Sequence, residues 1–317
     1  MRYLFSAAAL AAGLAVSGTA AAQTVGIATS NPGSIFHNIG TAVANVLNQA
    51  GINATIQPAT SPNQYIPFVG QGGIEFGVAN LQEVNYAIEG QEWFEGQPYG
   101  DLRIVGRIMP LVGAVFVRAD SDIETLEDLR GQPMVDGYTA QQTILPQLDA
   151  IYATVGMTRG DMQAVNVASV VAGADAFIEG QTVGFYFAHG AGKVREADAA
   201  VGGLRALPVE ATDENLALMQ EFWPTAYFGE IKAGAMPGVE EDGYFFAYPQ
   251  VVFTHAGVDD EIVYQLTKAM YENKDTLVAG FPPFGAFQPD QMADDIGIAE
   301  FHPGAVRFFQ EAGLLSQ

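Results

Sequence analysis

The chain is 317 residues long and 49% hydrophobic, with 36 Asp and Glu against 13 Lys and Arg, for a formal net charge of −23. So acidic a surface repels nucleic acid and anionic lipid, which excludes both as partners. There is no cysteine, which excludes disulfides, thiolate metal sites and a cysteine nucleophile.

Met1-Arg2 gives a positive start, Tyr3 to Val16 is an unbroken run of apolar and small residues, and Ala20-Ala21-Ala22 fits a small-x-small cleavage site. Residues 1–22 therefore read as a cleaved signal peptide, too short in its apolar core for a membrane anchor, with a mature chain starting near Gln23 outside the cytoplasm. That mature chain is long enough for two domain cores.

Thr24 to Thr29 reads as a strand and leads into a turn rich in Ser, Asn, Pro and Gly. From Ser34, the residues Ile35, Phe36, Ile39, Val43, Val46 and Leu47 recur at helical spacing, and Gly51 stands where a C-terminal cap falls. Strands are predicted at 74–79, 102–108, 114–117, 133–135, 165–167, 182–187 and 250–254. Helices are predicted at 81–89, 139–155, 172–179, 259–277 and 303–313, with a charged helical turn at 123–129. The stretch 204–243, rich in Pro and Gly, reads as irregular. This alternation predicts an α/β fold with mostly parallel sheets.

Several segments resemble the TAXI family, the solute receptors of one branch of the tripartite ATP-independent periplasmic (TRAP) transporters. Gly33-Ser34-Ile35-Phe36-His37-Asn38-Ile39-Gly40 is similar to the family's Gly-Gly-Thr-Tyr-Tyr-Pro-Leu-Gly loop and helix. Thr254-His255-Ala256 with Ile262 to Ala269 resembles its penultimate helix, and Phe301-His302-Pro303-Gly304-Ala305 its closing His-Pro-Gly-Ala motif. Ile123 to Gly131 resembles its turn into the second lobe. The resemblance runs in order along the whole mature chain. It implies a two-lobed periplasmic-binding-protein fold of type II kind, with a ligand cleft between lobes joined by crossing strands. One lobe is then 23–115 plus 247–317 and the other 116–246, with 114–117 and 250–253 as the crossing strands. It also implies a small carboxylate ligand, such as glutamate or 2-oxoglutarate, and a TRAP permease driven by an ion gradient as partner. A monomer is expected.

Candidate ligand contacts cluster in loops that open helices, where unpaired N–H groups and the positive dipole end suit a carboxylate. The first loop offers Ser30, Asn31, Ser34, Phe36 and His37, although Asn31 or Ser34 can equally cap the helix. The second offers Thr60, Ser61 and Tyr65, but has lost both glycines of the family's Thr-Gly-Gly-Ser loop. The third, Asp136 to Gln142, offers Tyr138, Thr139 and Gln141 where the family has Gly-Ser-Gly-Thr, which points to a changed ligand. Phe187 and His189 end a second-lobe strand, and Asn80 joins the set. Arg107 can fork onto a carboxylate or pair with one of the many acids, and both assignments stay open.

No catalytic residue, metal or cofactor is expected. The histidines at 37, 189, 255 and 302 lack metal spacing, Gly190-Ala191-Gly192-Lys193 is no phosphate loop, and there is no Gly-x-Ser-x-Gly turn. Two rivals remain: a ligand sensor docking on a membrane kinase, and a secreted hydrolase or isomerase using the same cleft.

Overall fold

The computed structural model describes residues 24–316; the expected signal peptide lies outside them. In chain order the elements are β1 (Thr24–Thr29), α1 (Ile35–Gln49), β2 (Asn53–Pro58), α2 (Pro62–Gly70), β3 (Phe76–Asn80), α3 (Leu81–Glu89), β4 (Leu102–Arg107) and β5 (Leu111–Arg118). Then come β6 (Pro133–Asp136), α4 (Ile144–Ala153), β7 (Gln163–Asn166), α5 (Val170–Ile178), β8 (Gly184–Ala188), α6 (Gly192–Val201) and β9 (Leu204–Leu207). The last are α7 (Asp213–Phe222), β10 (Tyr227–Ile231), β11 (Gly243–Tyr248), β12 (Gln250–His255), α8 (Asp260–Glu272), α9 (Lys274–Gly280) and α10 (Pro303–Glu311).

Two sheets organise two lobes. The first has the order β2-β1-β3-β12-β4; the second runs β10-β11-β5-β8-β6-β7, with β9 also paired to β5. Pairing is parallel only where strand and helix alternate, at β1 with β2 and β3 and at β6 with β7 and β8. Around β5 and β12 it is antiparallel. The sheets are thus mixed, not mostly parallel as the alternation suggested, because the strands that carry the chain from lobe to lobe run against their neighbours.

The chain crosses twice, at 108–110 between β4 and β5 and at Pro249 between β11 and β12. Each passage holds a proline, which has no N–H for a ladder and so ends pairing there. The passages are tied together: Ile108 N–H donates to Gln250 O at 2.9 Å and Gln250 Nε2 to Met109 O at 3.1 Å. The expected crossing segments, 114–117 and 250–253, are instead interior parts of β5 and β12.

The helical stripe of α1 buries Ile35, Phe36, Ile39, Val43, Val46 and Leu47 on the first sheet, as its 3.6-residue spacing requires. Two predicted helices are shorter. The one expected from Thr139 begins at Ile144; residues 139 and 140 are instead held against the loop after β7, their amides donating to the Val167 and Ala168 carbonyls. The one expected over 259–277 breaks at Asn273, whose side chain donates to Ala269 O at 2.8 Å. The irregular stretch instead holds β9, α7 and β10. Thr212 caps α7 by accepting from the Asn215 amide, with Asp213 and Glu214 in its first turn.

Candidate ligand site

Four helix N-termini converge on a cavity of about 40 Å³ between the lobes, lined by Ser34, Ile35 and Phe36 of α1, Asn80 and Glu83 of α3, Thr143, Ile144 and Gln147 of α4, and Val170 of α5. Such ends present N–H groups and the positive pole of the helix dipole, so they favour an anion. Three are organised by side chains. Ser34 Oγ accepts from His37 N–H at 3.2 Å, Asn80 Oδ1 from Glu83 N–H at 2.7 Å, and Gln141 Oε1 from Val170 N–H at 3.0 Å.

The second lobe supplies an aromatic wall. Tyr186 and Tyr248 both donate to Gln147 Oε1, at 2.9 and 3.2 Å, which turns the amide N–H₂ end of Gln147 away from them. Gly113 on β5 leaves room for this, since any Cβ there would run into the Tyr186 hydroxyl.

Glu83 is the one acidic side chain in the cavity lining. It is 0% exposed, takes a hydrogen bond on Oε2 from Asn80 Nδ2, and leaves Oε1 without a partner. Burial pushes its carboxyl up to about 8, with the neighbouring Thr143 and Asn80 polar groups opposing the shift. The cavity lining includes no Lys, Arg or His. Ser30 Oγ is a second buried cavity atom without a partner.

The lobes touch around the cavity. Ser61 Oγ donates to Ala140 O at 2.7 Å, Lys193 N–H to Gly33 O at 3.4 Å, and Trp223 stands edge-on to Tyr86 at 6.4 Å.

Of the residues singled out in the sequence, Ser30, Ser34, Phe36, Asn80, Gln141 and Phe187 line the cavity. The others stand elsewhere. Asn31 is half-buried in the loop before α1, His37 half-buried in the first turn of α1, and Thr60 half-buried in the loop before α2. Ser61 joins the lobes instead of lining the cavity. Tyr65 is buried in the first lobe, its hydroxyl donating to Val78 O at 2.5 Å. Tyr138 is buried in the second lobe at a φ of 35°, a left-handed backbone position in the loop after β6, and Thr139 is exposed. His189 lies between the Phe116 and Phe245 rings, at 4.9 and 4.8 Å, and burial lowers its pKa to about 3, so the ring is neutral. Arg107 faces a separate hollow with Tyr227, where it donates to Asp295 O at 3.3 Å and lies 4.0 Å from Asp294.

Sequence reasoning missed Glu83, Thr143, Gln147, Tyr186 and Tyr248. Only Glu83 carried a local signal, as the acid three residues after the helix-opening Asn80. That pattern marks a capped helix start and does not say what the start faces.

The family model described as the NMT1-like family matches residues 27–313 of the chain. Among solved structures, the R. palustris protein Rpa4515 with adipate is similar at 16% identity and a TM-score of 0.58, covering 92% of this chain and 93% of that one. A structure described as a periplasmic transporter is similar at 13% identity and a TM-score of 0.55, with 92% of each chain covered. A Bordetella bronchiseptica RB50 protein is similar at 12% identity and a TM-score of 0.54, covering 92% of this chain and 98% of that one.

Proposed function

Since the chain belongs to the NMT1-like family and has a periplasmic-binding-protein fold, we propose that it is a periplasmic receptor for a small organic acid, which it hands to a membrane permease. The observation that carries this reading is the meeting of four helix N-termini, from both lobes, on one cavity. An anionic end seated there gains backbone N–H groups and helix dipoles without any basic side chain. That is the local anion site that a protein of net charge −23 requires, since its long-range field repels the ligand.

Candidate ligands are an amino acid such as glutamate, or a dicarboxylate or 2-oxo acid. That the similar R. palustris protein was solved with adipate supports a carboxylate. The TAXI resemblance of the first loop and the C-terminal segments supports a TRAP permease as the partner. The small cavity favours either a short ligand or lobes that part further to admit one. The sensor reading uses the same cleft and differs only in the membrane protein that docks. An enzyme reading gains nothing from Glu83, which has no second acid, base or activated nucleophile beside it in the cavity lining.

The test is a thermal-shift screen of the chain from Gln23, unfolded and refolded to strip carried-over ligand, against amino acids, dicarboxylates, 2-oxo acids and sugars. Calorimetry is then run on any compound that responds. Saturable stabilisation by an unaltered organic acid is expected. Stabilisation only by sugars, or turnover of a compound, overturns the reading.

A further inference from the structure

Glu83 is an awkward neighbour for an anion, and this contradiction identifies what the ligand brings. Its carboxyl is wholly buried, one oxygen is held by Asn80, and the other makes no hydrogen bond within the protein, with the Thr143 side chain as its polar neighbour. Burying a carboxylate is costly unless a counter-charge or donor meets it. The titratable groups around it are the Tyr65 and Tyr248 phenols, neither of which is a cation, and the lining adds no Lys, Arg or His. Glu83 also lines the cavity between the lobes. Within the cavity, then, a positive charge beside Glu83 can come only from the ligand.

We infer that Glu83 is a specificity-determining residue that seats a protonated nitrogen of the ligand, whose carboxylate lies on the surrounding helix N-termini. The inference rests on the organic-acid reading and deepens it, because it selects amino-bearing acids over dicarboxylates and 2-oxo acids. The two charges then find separate berths: the ammonium on Glu83 Oε1, the carboxylate toward Ser30 Oγ and the first turns of α1, α4 and α5. In the empty cavity at neutral pH the elevated pKa keeps Glu83 largely protonated. An arriving ammonium favours the ionised form, so binding expels the Glu83 proton to solvent while the ligand keeps its own.

The experiment compares matched probes differing only in the nitrogen: alanine against propionate, glutamate against glutarate, leucine against 4-methylpentanoate, with butylamine and putrescine as amines lacking a carboxylate. Each is titrated calorimetrically into the native chain from Gln23 and into Glu83→Gln, which keeps the side-chain volume and the Asn80 cap. For whichever skeleton binds, the amino member is expected to bind about tenfold or more tightly than its partner, and Glu83→Gln to remove most of that preference. A second readout needs no variant. Titration at pH 6.5 in two buffers of different ionisation enthalpy should show a proton released with each amino ligand bound. Equal binding of both members, unaffected by Glu83→Gln and without proton release, overturns the inference and leaves the organic-acid reading standing. Binding of the simple amines alone, abolished in Glu83→Gln, keeps the ammonium seat on Glu83 but overturns the carboxylate half of the inference together with the organic-acid reading. No response from any probe in the three series overturns both.

Discussion

At the scale of single residues, Glu83 and Arg107 show how position decides what a charge does. The folded protein holds the Glu83 proton up to about pH 8, whereas an unfolded chain releases it near the ordinary value of 4.5. A native pKa raised above the unfolded one contributes stability that is complete below about 4.5 and is lost as pH climbs through about 8. Between pH 5 and 8.5 the unliganded protein should therefore lose a few kcal/mol of unfolding free energy that Glu83→Gln does not lose. Denaturant titrations at both pH values measure it, and parallel pH profiles for the two proteins refute it. Arg107 makes the opposite case, since it faces the Asp294 and Asp295 side of a separate hollow. Arg107→Ala should leave ligand affinity within about twofold, and change stability by no more than about 1 kcal/mol, as for other exposed ion pairs. A tenfold loss of affinity would return Arg107 to the ligand. Sequence left both roles of Arg107 open and passed over Glu83: a charge in an apolar strand stands out, while an acid three residues after a cap looks like ordinary helix chemistry.

Among the secondary-structure elements, sequence was most legible where one strong period filled a whole segment. The strand at β1, the α1 stripe and the α3 helix follow from apolar spacing alone. The losses came where a long-range partner held backbone that local pattern assigned to a helix. Residues 139 and 140 satisfy the carbonyls of 167 and 168, which shortens α4 and frees the 139–143 turn to approach the first lobe. The short β9 and β10 were hidden because four or five residues between prolines and glycines carry too little alternation to register. That freed turn has a testable consequence. Ala140 O accepts from Ser61 Oγ of the opposite lobe at 2.7 Å, one of the hydrogen bonds that hold the lobes together. Ser61→Ala should weaken ligand binding about fivefold, the equivalent of about 1 kcal/mol, through loss of the closed form alone. The unliganded melting temperature should stay nearly constant. An unchanged affinity by calorimetry would mean that closure does not draw on this contact.

Over the whole molecule, the cavity exists only because two lobes meet, so its residues come from seven separate stretches of sequence that no local pattern joins. The two short passages, at 108–110 and Pro249, are the places where the lobes can turn against each other while their sheets stay intact. Such a turn would be visible at Trp223, one of two tryptophans in the chain. Trp223 is 0% exposed and stands between Tyr248, which shares its lobe, and Tyr86 of α3 across the junction. Opening separates it from Tyr86 and admits water, and closure on a ligand reverses both. The other tryptophan, Trp93, packs on the first-lobe side, against Tyr86 at 6.0 Å. Ligand should thus shift the emission of Trp93→Phe to shorter wavelength as it does that of the native chain. Trp223→Phe should lose most of the response while still binding, and X-ray scattering should show a smaller radius of gyration with ligand. A native emission spectrum and radius unmoved at saturating ligand would instead make this a receptor that binds in a preformed cleft, with recognition by its permease or kinase resting on the ligand-filled surface and not on lobe motion.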